Sequence, residues 1–388
     1  MEHHNRVDLV SPFAPTLARR GHCAVGVQTV QLTLRDQPDV AAGDLRGHDR
    51  PLTVELWYPA VAGSGTPAAY EVTLRCGVRR AALYGSAQRG ATPVGAPAPV
   101  VLISHGYPGS RYLLVHLAEA FASHGFIVAA ADHAGSTYDD LRDFGETLLH
   151  RPLDQMGLLD ALARLEGPLG AMMQTDRCGL VGYSMGGYGA LVSAGAGVNR
   201  AALDFERAPP GGMLAVHRAG SDTHAALRDP RLKAIVPIGP WGGGFGMWDA
   251  DALAQIEIPA LIMAGTRDDV SNYAGMRHLF DAMTGTGRHL LSFEGAGHNA
   301  AAPHPAPAEA WQFSPALGRA PFDHYADPVW DTLRMNNIAQ HFAVAFLGRH
   351  LSGDTAMDRY LDGVSWSGFA EGTATGLRFE THEKGAPL

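Results

Sequence analysis

Cysteine is scarce. The three in 388 residues, Cys23, Cys76 and Cys178, are scattered along the chain. That excludes a disulfide framework and a four-thiolate zinc centre, and Cys178, beside an apolar run, reads as a small buried side chain. Long apolar stretches are missing as well, and none reaches the roughly 20 residues that a membrane-spanning helix needs. The start, Met1-Glu2-His3-His4-Asn5-Arg6, has no basic, apolar and small-residue segments of a secretory leader, so a cytoplasmic location is the expectation. Basic clusters are absent, and 30 Lys and Arg stand against 39 Asp and Glu for a formal charge of -9. Nucleic acids and anionic membranes are held by basic surfaces that displace counterions, so neither is an expected partner. Internal repeats are not visible. What is present is 46% hydrophobic and only 18% charged residues, enough apolar material for a large core.

The chain is organised around Gly182-Tyr183-Ser184-Met185-Gly186-Gly187, read as a strand end, a sharp turn and a helix start with a serine at the apex. Ahead of it, the β-favouring runs Val25 to Leu34 and Leu52 to Tyr58 predict an antiparallel pair joined by a long polar loop, with Pro59 ending the second strand. Residues 60–97, rich in Ala, Gly, Pro and Arg, read as an excursion with one short helix. The apolar run Pro99 to Ser104, the helical stripe Leu113, Leu114, Leu117 and Phe121, and the run Phe126 to Ala131 make a strand–helix–strand unit. Helical spacing recurs from Pro152 to Leu165. Strands resume at Ala234 to Ile238, Ala260 to Ala264 and Leu290 to Phe293, the last of the set, and a helix from Leu333 to His350 should cover the sheet through Ile338, Phe342, Ala345 and Phe346. Buried strands alternating with helices predict an α/β fold with a mostly parallel central sheet flanked by helices. One domain over 1–388 is expected, with N-terminal strands and excursion (1–97), a polar insertion after the serine helix (199–230) and a C-terminal extension (300–388). The insertion reads equally as a lid or an oligomer contact, and the oligomeric state itself is open.

A serine hydroxyl is a weak nucleophile and needs a base to take its proton and a carboxylate to orient that base. Candidates stand at the ends of later strands, where parallel sheets collect their active groups. Gly265-Thr266-Arg267-Asp268-Asp269 supplies the acid and Gly295-Ala296-Gly297-His298-Asn299 the base. Asp268 is preferred, with Asp269 as its competitor. An oxyanion formed on attack needs two backbone N–H donors; Met185, after the serine, supplies one, and Tyr107, in the glycine-containing loop after an earlier strand, is placed to supply the other. His105 precedes the serine and reads as a residue that bonds its own loop. Asp132-His133 closes a strand and reads as shaping the cleft. No metal or cofactor is called for.

These segments carry a resemblance. Ser104-His105-Gly106-Tyr107-Pro108-Gly109-Ser110, Ala122 to Ala130, Arg151-Pro152-Leu153-Asp154 and Gly182 to Gly187 resemble an α/β hydrolase, nearest the dienelactone hydrolase and platelet-activating-factor acetylhydrolase branch. In the plasma acetylhydrolases the acid follows the strand after the serine helix. Here that place reads Ile238-Gly239-Pro240-Trp241 with no carboxylate, which moves the acid one strand on, to Asp268. Tyr183 stands where many relatives have histidine. Trp241 resembles the aromatic residue lining the cleft of cutinase-like polyester hydrolases, and with Tyr107, Tyr183 and Phe245 it is the expected substrate contact. The resemblance implies a serine carboxylester hydrolase working through an acyl-enzyme of Ser184, His298 and Asp268 on a small to medium, neutral, apolar or aromatic ester. The same triad serves acyl transfer and cleavage of a diketone or lactone. A non-catalytic binding protein on the same fold is the alternative from another class.

Overall fold

The structure, a computed structural model, describes residues 4–385. Its elements in order are β1 (Ala24–Asp39), β2 (Asp44–Ala60), β3 (Thr66–Thr73), β4 (Arg80–Arg89), β5 (Ala98–Ser104), α1 (Val115–Ser123), β6 (Ile127–Ala131), α2 (Phe144–Leu162), the short α3 (Gly167–Gly170), β7 (Met173–Tyr183), α4 (Met185–Ser193), α5 (Asp222–Leu227), β8 (Leu232–Ile238), α6 (Ala250–Leu253), β9 (Ala260–Gly265), α7 (Tyr273–Ala282), β10 (Arg288–Phe293), α8 (Thr332–Leu351) and β11 (Leu377–His382). The strands form one sheet in the order β11-β10-β9-β8-β7-β5-β6-β2-β1-β4-β3. From β6 to β10 neighbours run parallel, and β2 and β11 join the two ends of that block antiparallel.

Continuous apolar runs are what a strand covered on both faces requires. Successive side chains point to opposite faces, so Val101, Ile103, Val128, Val181 and Val236 pack with α1 and α8, while Val100, Leu102, Ile127, Leu180 and Ile235 pack with α2, α4 and α7. Each such side chain contributes roughly 1.5–3 kcal/mol by leaving water. The expected stripe of α8 is buried against this sheet.

Four expectations need correction. The first hairpin is longer and its loop tighter, because β1 and β2 pair on through Pro38, Gly47 and Asp49 and leave only residues 40–43 as the turn. Residues 60–97 hold no helix; β3 and β4 form an antiparallel hairpin, with Ala68, Tyr70 and Val72 buried in alternation with exposed Ala69 and Glu71. Helix α2 begins at Phe144, capped by the Asp143 carboxylate accepting from the Gly145 N–H, so Pro152 lies inside it. Proline has no N–H for the Leu148 carbonyl one turn back, and the Tyr188 hydroxyl donates to that carbonyl instead, at 3.3 Å. Finally, β11 follows β10 at the sheet edge, formed by residues of the C-terminal extension.

The polar insertion is latched down from Met213 onward. Met213 and Leu214 are buried, His217 hydrogen-bonds the Leu149 carbonyl of α2 at 2.7 Å, and His224 bonds the Val192 carbonyl of α4 at 3.1 Å. The N-terminal stretch, expected to wrap the surface, also buries Val7, Leu17 and Ala18; Met1 to His3 lie outside the described residues.

Many histidines are buried, and this burial bears on stability in acid. Burial pushes His133, His217 and His304 down to about 4. An unfolded chain takes up these protons below about 6.5, and the folded chain does not until about pH 4. In that window the unfolded state binds more protons, so stability falls as pH drops through it. Each histidine contributes at most on the order of 3 kcal/mol to that loss. The expected result is a Tm that is steady above pH 7 and falls steeply from pH 6.5 to 4, as followed by circular dichroism. A flat Tm over that range would contradict the burial.

Candidate active site

Ser184 sits between β7 and α4 with φ 53°, a backbone region that side chains rarely enter. The turn is that tight because its neighbours leave no room. A Cβ on Gly182 would lie 2.2 Å from the Gly186 carbonyl oxygen, and one on Gly186 would lie 2.0 Å from that of Ser104. The main chain of Ser184 is tied into the sheet, its N–H donating to the Ile238 carbonyl at 2.9 Å and its carbonyl accepting from the Trp241 N–H at 3.1 Å.

The loops after β9 and β10 bring the other two candidates to it. His298 Nε2 is 3.1 Å from Ser184 Oγ, and His298 Nδ1 is 2.8 Å from Asp268 Oδ2. The Asp268 carboxylate is fully buried, and its other oxygen accepts from the Val270 and Ser271 N–H groups at 2.9 and 2.8 Å. Those bonds fix both lone-pair directions, so Nδ1 carries the proton and Nε2 faces the serine as an acceptor. Asp269 points away, exposed at the cleft rim. Gly239, in the loop where the sequence has no carboxylate, has φ 50°, a conformation that side chains rarely adopt, and a Cβ there would make ordinary van der Waals contact, 3.5 Å from the His298 ring and 3.6 Å from Asp268 Oδ2.

The loop after β5 is held from beneath. The His133 N–H donates to His105 Nε2 at 3.2 Å, which leaves the proton on His105 Nδ1, and Nδ1 donates to the Gly106 carbonyl at 2.8 Å. Buried Arg151, from α2, donates to the His105 carbonyl, to the Gly106 carbonyl at 3.4 Å and to Ser136 Oγ at 2.7 Å. A trans peptide plane points its C=O and N–H in opposite directions. With the Gly106 carbonyl drawn down, the Tyr107 N–H is turned the other way, toward the cleft that Tyr107 lines with Ser184. The Met185 N–H lies in the first turn of α4, where helices leave amides unpaired.

A second Ser–His–Asp set lies underneath, wholly buried. Ser104 Oγ donates to His133 Nε2 at 2.8 Å, His133 Nδ1 donates to Asp154 Oδ2 at 3.0 Å, and Arg50 Nε donates to Asp154 Oδ1 at 2.6 Å. Burial raises the Asp154 acid, but Arg50 and His133 outweigh it and hold the carboxyl below its usual range. Asp132 pairs with Arg111 instead. This set has no access to solvent, and its work is to anchor the strand ends that carry the Tyr107 loop.

The cleft over Ser184 has a volume of about 450 Å³ and is lined by Tyr107, Tyr183, His298, His324 and Arg75 among others. Of the expected substrate contacts, Tyr107 and Tyr183 are there, and the Tyr183 ring lies 5.1 Å from that of His298. Trp241 and Phe245 are a correction, since neither is among the residues lining it. Trp241 is buried, stacked on Phe245 at 4.6 Å and edge-on to Phe144 and Tyr188. Its ring is turned into that cluster. Sequence reasoning gave no role to Arg151, Asp154 or Arg75. The first two stood in a quoted motif, while Arg75 lay in the unplaced excursion.

Comparison with known proteins finds partial likenesses in sequence and a likeness in fold. A family model described as PET hydrolase-like matches residues 61–209, a span that holds Ser184 but neither Asp268 nor His298. Cutinase est2 of Thermobifida alba is 26% identical over 200 residues, 51% of this chain and 52% of that protein. A monoacylglycerol lipase of Mycolicibacterium smegmatis is 26% identical over 243 residues, 53% of this chain and 83% of the lipase. The chain thus spans about half the length of the first cutinases it matches. A ferulic acid esterase from Streptomyces cinnamoneus has the same fold, with a TM-score of 0.64 over 97% of this chain and 99% of that one at 21% identity. With a parallel sheet, a serine elbow and these likenesses, the chain has an α/β-hydrolase fold and is similar over part of its length to cutinases.

Proposed function

We propose that the protein is a serine carboxylester hydrolase acting through an acyl-enzyme on a small to medium ester. The observation that carries this reading is the unbroken hydrogen-bond chain from Ser184 Oγ through His298 to Asp268, opening into a cleft. Ser184 Oγ attacks the ester carbonyl carbon while its proton passes to His298 Nε2. The tetrahedral oxyanion is received by the Tyr107 and Met185 N–H groups, donors fixed before the charge develops. Collapse breaks the bond to the alcohol, which leaves with the proton from His298. Water then repeats the sequence on the acyl-enzyme, giving up its proton to His298 and releasing the acid and free Ser184. Asp268 keeps the imidazole in the required tautomer and stabilises it when charged. The Tyr107 and Tyr183 rings suit an apolar or aromatic part of the ester next to the scissile bond.

The test is turnover of a short-chain 4-nitrophenyl ester by the purified protein and by Ser184→Ala. The expected result is steady hydrolysis by the first and a loss of about 10⁴-fold or more in kcat in the second. Equal rates in both proteins, or none in either, would sink the reading.

A further inference from the structure

The cleft contains three arginines, and they differ in what faces them. Arg319 is exposed and pairs with Asp323 at 3.5 Å. Arg267 is exposed, on the same turn as the exposed Asp269, so water screens its charge. Arg75 is part-buried, and among the described residues its guanidinium has no hydrogen-bond or ion-pair partner. The third cleft acid, Asp327, is engaged with the N–H groups of Gly297, Val329 and Trp330.

The main chain of Arg75 is held in place. It follows β3 in the turn to β4, where fully buried Leu74 accepts from the Gly77 N–H at 2.8 Å, and the Arg75 N–H donates to the Tyr325 hydroxyl at 3.3 Å. The groups that feel its charge, Tyr138, Tyr183, His324 and Tyr325, are polar but uncharged at neutral pH. Tyr138 Oη and His324 Nε2 lie 2.6 Å apart. Burial, then the Arg75 charge, pushes His324 well below its usual range, while burial pushes the Tyr138, Tyr183 and Tyr325 phenols up. A partly desolvated guanidinium with no carboxylate paired to it is a strong donor to an anion, and its planar fork matches a carboxylate.

We propose that Arg75 forms an anion subsite of this cleft, so that the preferred ester carries a carboxylate away from its scissile bond, as a half-ester of a dicarboxylic acid or an ester of a hydroxy acid does. This rests on the hydrolase reading above, and refines its substrate. The expectation of a neutral ester from the sequence took no account of Arg75, whose segment had no place in the fold.

Two matched pairs test it: the 4-nitrophenyl monoester of glutaric acid against that of hexanoic acid, and the butyrate ester of 4-hydroxybenzoate against that of 4-cresol. In at least one pair, the unaltered protein should favour the anionic ester by about 10-fold in kcat/KM, read mainly in KM. In Arg75→Gln that ratio should fall to about one or below, and Arg75→Lys should keep part of it. Preference for the neutral ester in both pairs, or a ratio that survives Arg75→Gln, overturns the subsite. Calorimetry with the uncleaved anionic esters on Ser184→Ala separates this from failure of the hydrolase reading, because it needs no turnover. Binding should weaken about 10-fold when Arg75→Gln is added, and equal binding overturns the subsite. Turnover of no ester, with this binding intact, counts against the chemistry and leaves the subsite standing.

Discussion

Asp268→Asn should lower kcat by about 10⁴-fold, while Asp269→Asn should change it by less than about 3-fold. The two carboxylates are adjacent in sequence, but their surroundings are opposite. Asp268 is buried, takes two backbone N–H groups on one oxygen and His298 Nδ1 on the other. An amide in its place can turn its NH₂ toward His298 Nδ1, which then must accept. The proton moves to Nε2, where it faces Ser184 and removes the base. Asp269 is exposed, so its amide alters only the charge at the rim. Steady-state kinetics on a neutral 4-nitrophenyl ester checks both. A large loss in Asp269→Asn with little in Asp268→Asn would reassign the acid, against the geometry.

Arg151→Met should cost about 10²- to 10³-fold in kcat and leave KM within a few-fold. Arg151 touches no substrate; it is a positioning residue that pulls the His105 and Gly106 carbonyls down and so turns the Tyr107 N–H up. Without it the peptide between Gly106 and Tyr107 is free to rotate, and the oxyanion loses one aligned donor. That loss falls on the transition state alone, and so on kcat. Inhibition by a trifluoromethyl ketone, which forms the oxyanion, should weaken in parallel with kcat. Arg151→Lys, which keeps the charge but not the fork, should fall between the two. A folded Arg151→Met with unaltered kcat would show that His105 holds the loop alone.

The parallel half of the fold was legible because strands covered on both faces have to be continuous apolar runs, and Pro99 to Ser104, Phe126 to Ala131 and Ala260 to Ala264 are such runs. The β3–β4 hairpin was not, since its alternation is carried by small residues such as Ala68 and Ala81, in a stretch whose Gly and Pro content suggests a loop. The start of α2 was hidden by Pro152. A proline usually marks the first turn of a helix, and here a tyrosine from another helix satisfies the carbonyl it leaves open. At the site, Ser184, His298 and Asp268 were legible from their places after strands, because strand order fixes which loops meet. Trp241 was misread: its position next to Ser184 in the fold is right, but side-chain direction depends on Phe144, Tyr188 and Phe245, from three separate segments. The grip of Arg151 on the Tyr107 loop was beyond reach for the same reason. It joins side chain to main chain across 45 and 46 residues, and no local pattern encodes that.

The central claim is that Ser184 is the nucleophile. Incubation with a fluorophosphonate, followed by peptide mapping by mass spectrometry, tests it most directly. The account predicts one phosphonyl group per chain, on Ser184, appearing in step with the loss of esterase activity and absent in His298→Ala. Full loss of activity with the label on another residue, or full activity with Ser184 labelled, would contradict it.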